Sequence, residues 1–101
     1  MTHPMQVYLN TKKADGGDGE YNTLLVTLTD TLDISRPTLY RLSYPKGRQR
    51  RTLSAVKAMQ LELLTEGAVP AESVNDEIDA VLDYALQLSV ARSVRAIAAA
   101  A

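Results

Sequence analysis

The sequence predicts a mainly α-helical protein that opens with one short β-strand, and three observations lead there. Apolar residues recur at helical spacing over most of residues 22–100. Capping residues, Pro and Gly punctuate these stretches where helices should start and stop. Only residues 5–10 alternate in the two-residue period of a strand. The 101 residues suit a single domain, 1–101. They are 46% hydrophobic yet include no Trp, Phe or Cys, so the core must be built from aliphatic side chains.

In "MQVYLN", residues 5–10, Met5, Val7 and Leu9 alternate with Gln6, Tyr8 and Asn10, the pattern of a half-buried strand. One strand is not stable alone, so its partner is either the same strand of a second subunit or a later segment. "TKKADGGDGE", residues 11–20, reads as a flexible loop with three Gly, so residues 1–20 form an N-terminal strand and loop. From Asn22, Leu24, Leu25, Leu28 and Leu32 follow helical spacing. Thr and Val in "TLLVTLT" favour strands, but the spacing continues to Leu32 and makes this a helix.

Ser35 is an N-cap for the next helix, Pro37 fits its first turn, and Leu39 and Leu42 face inward behind Ile34. Pro45 and Gly47 end it. A further helix runs from about Leu53 to Glu66, with Val56, Met59 or Gln60, Leu63 and Leu64 on one face. "EGAVPAES" breaks it. The last helix spans about Ser73 to Ala100, with Ser73 and Asp76 in the spacing of a capping box. Its acids gather in the first turns, and Arg92 and Arg95 lie towards the end, as the helix dipole favours. One apolar stripe contains Val74, Ile78, Val81, Ala85 and Leu88. A second contains Leu82, Leu86, Val90, Val94 and Ile97. Two stripes exceed what one neighbouring layer covers, so residues 72–100 are read as a dimerisation helix. Its expected contacts are Val74, Ile78, Val81, Leu82, Ala85, Leu86, Val90 and Val94.

Charge is segregated. Arg36, Arg41, Lys46, Arg48, Arg50, Arg51 and Lys57 form a block without acids. Glu62, Glu66, Glu72, Asp76, Glu77, Asp79 and Asp83 form a block without bases. Behind a net charge of −1, one end is suited to a polyanion. Alternatively, the two blocks pair with each other in the fold.

From Leu24 to Leu42 the pattern is helix, short turn, helix. Asp33 stands where the turn needs a left-handed residue, and Leu28, Leu32, Ile34, Leu39 and Leu42 supply the buried contacts. This is the apolar skeleton of a helix-turn-helix, the core assigned to residues 22–66. The second helix then presents Arg36, Pro37, Thr38, Tyr40, Arg41 and Tyr44 outwards, with Ser35 at its cap. Arg can read guanine bidentately, Thr can touch a base edge or a thymine methyl, and Tyr can bond phosphate. Lys46, Arg48, Arg50 and Arg51 follow as candidate phosphate or minor-groove contacts.

"LDISRPTLYRLS", Leu32 to Ser43, resembles the turn and recognition helix of the Cro and lambda-repressor-like regulators. Their motif commonly reads Leu-Gly-Ile-Ser, two variable residues, then Thr-Leu-Tyr-Arg. "TLYR" is also similar to the DNA-binding ends of site-specific resolvases and of the tetracycline-repressor family. "PKGRQRRTLSAVKAM" is similar to the Gly, basic residues and amphipathic helix that follow the motif in Cro-like proteins. The resemblance covers about residues 23–64. Asp33 replaces the turn Gly, and a strand or loop is expected where a Cro-like domain has a helix before Asn22.

The resemblance implies sequence-specific binding of double-stranded DNA by a homodimer. At this size it implies a small repressor or autorepressor, phage- or plasmid-borne. An accessory or architectural role in partition, conjugation, recombination or replication uses the same motif. An antitoxin or inhibitor acting through the acidic 62–83 segment on a protein partner is the third reading.

The sequence offers little for an enzyme. It has no Cys and only His3, placed in a loose N-terminus, and "GGDGE" lacks the Lys and Ser/Thr of a phosphate loop. No metal site or cofactor is expected. With no apolar run of about 18 residues and no signal pattern, a soluble, cytoplasmic protein away from the membrane is expected.

Overall fold

The computed structural model describes residues 3–44 and 50–100, and among these it is mainly helical, with no strand. Helix α1 spans Pro4–Leu32, α2 Arg36–Arg41, α3 Ala55–Leu64 and α4 Ile78–Ala100. A 3-10 turn at Ala71–Ser73 precedes α4.

The expected strand at residues 5–10 is instead the first part of α1, and the expected loop at 11–20 continues it. Met5, Tyr8 and Leu9 are buried while Val7 is half exposed, so the i, i+3, i+4 spacing prevails over the short alternation. His3 starts the helix rather than lying loose. Its Nδ1 accepts from the Met5 N–H at 3.0 Å, and its Nε2 lies 2.8 Å from the Ser73 carbonyl. A carbonyl only accepts, so one neutral tautomer, with the hydrogen on Nε2, satisfies both contacts. Pro4 at the first helical position lacks only an N–H that has no helical partner there.

Gly17 bends α1 into two arms. Its φ of 69° and ψ of −177° lie in a region essentially reserved for glycine. The first arm contributes Met5, Tyr8 and Leu9 to the core, and the second contributes Leu25, Leu28 and Leu32. A helix therefore does precede Asn22.

The second arm ends in a Schellman arrangement. The Asp33 N–H donates to the Asp30 carbonyl, the Ile34 N–H to the Thr29 carbonyl at 3.0 Å, and Asp33 is left-handed at φ 52°. Ser35 caps α2 as expected, accepting from the Thr38 N–H at 3.3 Å. Leu39 and Leu42 are fully buried. Lys57 Nζ on α3 donates to the Asp33 carbonyl at 3.3 Å, tying α3 to this turn.

α3 buries a different face from the expected one. Ala58, Leu61 and the following Thr65 point inwards, whereas Val56, Leu63 and Leu64 are exposed. The buried Thr65 hydroxyl donates to the Leu61 carbonyl and accepts from the Val69 N–H, so it carries no unmet polar group into the core. Apolar residues lie on almost every side of this helix. Its neighbours, not its periodicity, select the inward face, and small Ala58 allows close approach.

α4 starts at Ile78 rather than Ser73. Ser73 closes the 3-10 turn by donating to the Pro70 carbonyl. Asn75 makes the local start: its Oδ1 accepts from the Glu77 N–H, and its Nδ2 donates to the Leu53 carbonyl, both at 2.8 Å. Beyond its first turn α4 projects from the rest. The radius of gyration is 17.2 Å, against about 13 Å for a compact chain of this length.

Candidate nucleic-acid interface

α2 has six residues, too few to persist as an isolated helix. Its position comes from the Asp33 turn, the Ser35 cap and the burial of Leu39 and Leu42. With that face turned in, Arg36, Pro37, Tyr40 and Tyr44 are exposed and Arg41 and Thr38 are half-buried. Ser35 and Thr38 share a hydroxyl contact of 2.9 Å, while each hydroxyl keeps further bonding capacity. The expected outward residues Ser35, Arg36, Pro37, Thr38, Tyr40, Arg41 and Tyr44 thus lie on and around one short helix.

The far end of α2 is also held. The Arg51 N–H donates to the Arg41 carbonyl at 3.1 Å, so the chain returns to α2 after the basic loop. Ser43 Oγ donates to the Tyr40 carbonyl at 2.9 Å and lies 3.4 Å from Gln6 Oε1, which sets this end beside the first arm of α1. Lys46 and Arg48, together with Pro45 and Gly47, which were expected to end the helix, lie outside the described residues.

The arginines after the loop differ. Arg51 is exposed. Arg50 is half-buried, and its Nη2 donates to the Ser73 carbonyl at 3.0 Å, the oxygen also contacted by His3. Its Nε is buried with no hydrogen-bond partner among the described residues. This turns Arg50 inwards, towards the 3-10 turn. Arg50→Ala is expected to cost about 1 kcal/mol of stability: loss of a charge-assisted bond is partly offset by removal of the orphaned Nε. Arg51→Ala should leave stability within about 0.5 kcal/mol of the parent. Urea unfolding of both variants checks this contrast.

Lys13, from the stretch read as a loop, and Tyr21, just after it, adjoin this surface. Lys13 Nζ lies 5.8 Å from the centre of the Tyr21 ring, a cation–π contact. The Tyr21 hydroxyl is held above the usual phenol range, first by burial and then by Tyr40, while Arg36 opposes the shift. Lys13 and Tyr21 on α1 therefore extend the basic and aromatic surface of Arg36 and Tyr40. Tyr21 sits four residues before buried Leu25, a helical spacing that the glycines of 16–19 obscured.

The proposed dimer contacts divide. Val74 and Ile78 are fully buried in the core of this one chain, so they are corrected to core residues. They face inwards because the α4 root packs on α3 and the 3-10 turn. Val81 is half-buried, and Leu82, Ala85, Leu86, Val90 and Val94 are exposed. In the acidic block, Glu62 Oε1 accepts from the Ala71 N–H at 3.0 Å and is structural, whereas Glu72, Asp76, Glu77, Asp79 and Asp83 are exposed. Among the described residues no His, Cys, Asp and Glu cluster suits a metal ion, and no helix is long and apolar enough to cross a membrane. Compared with known protein families, curated proteins and solved structures, the chain matches none.

Proposed function

We propose that this chain is a sequence-specific double-stranded DNA-binding protein, working as a homodimeric repressor or autorepressor on an inverted repeat. In this reading α1's second arm, the Asp33 turn and α2 form a helix-turn-helix, and α2 enters the major groove. The observation that carries it is the division of α2. Leu39 and Leu42 anchor one face, leaving Arg36, Tyr40, Arg41 and Tyr44 on or beside the other. The helical first arm of α1 adds support, because it supplies the element before Asn22 that a Cro-like arrangement requires. Exposed α4 is the dimerisation helix, and a cytoplasmic location, with phage or plasmid origin, goes with the same reading.

Two α2 helices about 34 Å apart would address successive major grooves. Arg36 and Arg41 read base edges, and Arg51 contacts phosphate. Selection from a random duplex pool at physiological ionic strength should enrich an inverted repeat. Arg36→Ala and Arg41→Ala should each cost about 1–3 kcal/mol on that site and relax preference at one position, whereas Arg51→Ala should weaken all duplexes similarly and lower the salt slope by about one. Equal losses from all three on every sequence would reduce α2 to a nonspecific patch. Retention without enrichment would favour an architectural role, and no retention a protein partner of the acidic segment.

A further inference from the structure

The polar surface around α2 continues onto the first arm of α1. Gln6, Asn10 and Lys13 follow the i, i+4, i+7 spacing of one helix face, and all three are exposed. Gln6 Nε2 donates to Asn10 Oδ1 at 3.0 Å, and Gln6 Oε1 lies 3.4 Å from Ser43 Oγ, just beyond α2. At the other end of this stripe, Lys13 Nζ lies 5.8 Å from the centre of the Tyr21 ring. The Tyr21 hydroxyl in turn neighbours Tyr40 of α2, and Arg36 acts on it by charge. Both ends of the stripe therefore meet the surface that α2 presents.

Lys13 is the cation of this stripe. A lysine ammonium sits on a long flexible stem, and the face of an aromatic ring restricts where it lies. Unlike a carboxylate, the ring leaves the positive charge in place for an anion. Lys12 is about 100° away around the helix and is placed differently. Its Nζ lies 5.7 Å from the centre of the Tyr8 ring, and it lines a hollow together with Asp15 and Glu20. Those two acids oppose any anion approaching Lys12.

We infer that Lys13, held over the Tyr21 ring, contacts a backbone phosphate of the duplex that α2 enters, with Tyr21 as its positioning residue. A phosphodiester suits the site because Arg36 and Tyr40, alongside it, address the same duplex. It also recurs along every duplex whatever the sequence. The inference rests on the DNA-binding reading above and gives the first arm of α1 a part in that binding.

Fluorescence anisotropy of the full chain provides the test, on a duplex enriched from the random pool and on a scrambled one, over about 50 to 300 mM salt. Lys13→Gln should weaken binding about fivefold at about 150 mM salt on both duplexes and lower the salt slope by about one. Lys12→Gln should leave affinity and slope nearly unchanged. Tyr21→Phe keeps the ring and should bind as the wild type does. Tyr21→Leu removes the ring and should lose most of what Lys13→Gln loses. The double variant Lys13→Gln, Tyr21→Leu should lose no more than Lys13→Gln alone. Circular dichroism checks that each variant remains helical, and exposed Lys13 keeps the contact testable even if Tyr21→Leu does not fold.

Wild-type binding that Lys13→Gln leaves unchanged, or that Lys12→Gln weakens equally, would overturn the inference alone. A loss confined to one sequence would make Lys13 a base reader instead. Additive losses in the double variant, or a loss from Tyr21→Phe, would remove the ring from its positioning role. A wild-type chain that binds neither duplex would overturn the DNA-binding reading, and the inference with it.

Discussion

Leu39→Ala is expected to lower stability by about 2–5 kcal/mol, the range for truncating a fully buried leucine. Leu39 has 0% exposure and is the buried residue within α2, with Leu42 just beyond the helix end. Six residues cannot form a lasting helix by propensity, so α2 depends on this contact and on its caps. Urea unfolding measures the total loss. Amide hydrogen exchange should show that residues 36–42 lose protection before the second arm of α1. Leu63→Ala is the matched control: Leu63 is 78% exposed, and its loss should stay below about 0.5 kcal/mol. Equal effects at the two leucines would mean that the inward faces of α2 and α3 are misassigned.

Gly17→Ala is expected to destabilise the chain by about 1–3 kcal/mol, the cost of forcing a non-glycine residue into this backbone region. A Cβ at Gly17 meets nothing within 4 Å, so the penalty comes from the backbone and not from a clash. Gly19 is two residues away, helical, and equally open around an added Cβ. Gly19→Ala should therefore stabilise by up to about 1 kcal/mol, because alanine loses less conformational freedom on entering a helix. Opposite signs, measured by thermal or urea unfolding, would establish the bend. Two stabilising substitutions would show that α1 runs straight in solution, and the first arm would then not reach the core as described. The same bend sets Lys13 beside Tyr21, so Gly17→Ala should also disturb the surface next to α2.

The stretch from Leu24 to Leu42 was legible because its determinants are local. Leucine spacing continues past the strand-favouring Thr and Val, Asp33 is among the residues that tolerate left-handed backbone, and Ser35 and Pro37 suit a helix start. Leu39 and Leu42 then have one possible inward side, which also determines which of Arg36, Tyr40, Arg41 and Tyr44 remain outside. Residues 5–20 misled for an equally local reason. Six residues carry too few periods to separate alternation from helical spacing, and three glycines within four positions look like a loop. Gly17 bends the helix, Gly16 leaves room for the Glu20 side chain, and Gly19 is simply carried within it.

Local signals alone specify a mainly α-helical chain, the cap and inward leucines of α2, the segregation of charge, and an α4 with more apolar surface than one layer covers. Each follows from propensity, capping or periodicity within a turn or two of the chain. Long-range contacts make residues 4–16 helical, turn Ala58 and Leu61 of α3 inwards, bond Arg50 to the Ser73 carbonyl, and place Val74 and Ile78 in the core of a single chain. Those outcomes depend on partners distant in sequence: His3 reaches Ser73, Lys57 reaches the Asp33 carbonyl, and Asn75 reaches Leu53. Where a segment offers apolar residues on several sides, local pattern leaves the choice open, and long-range packing and hydrogen bonding make it.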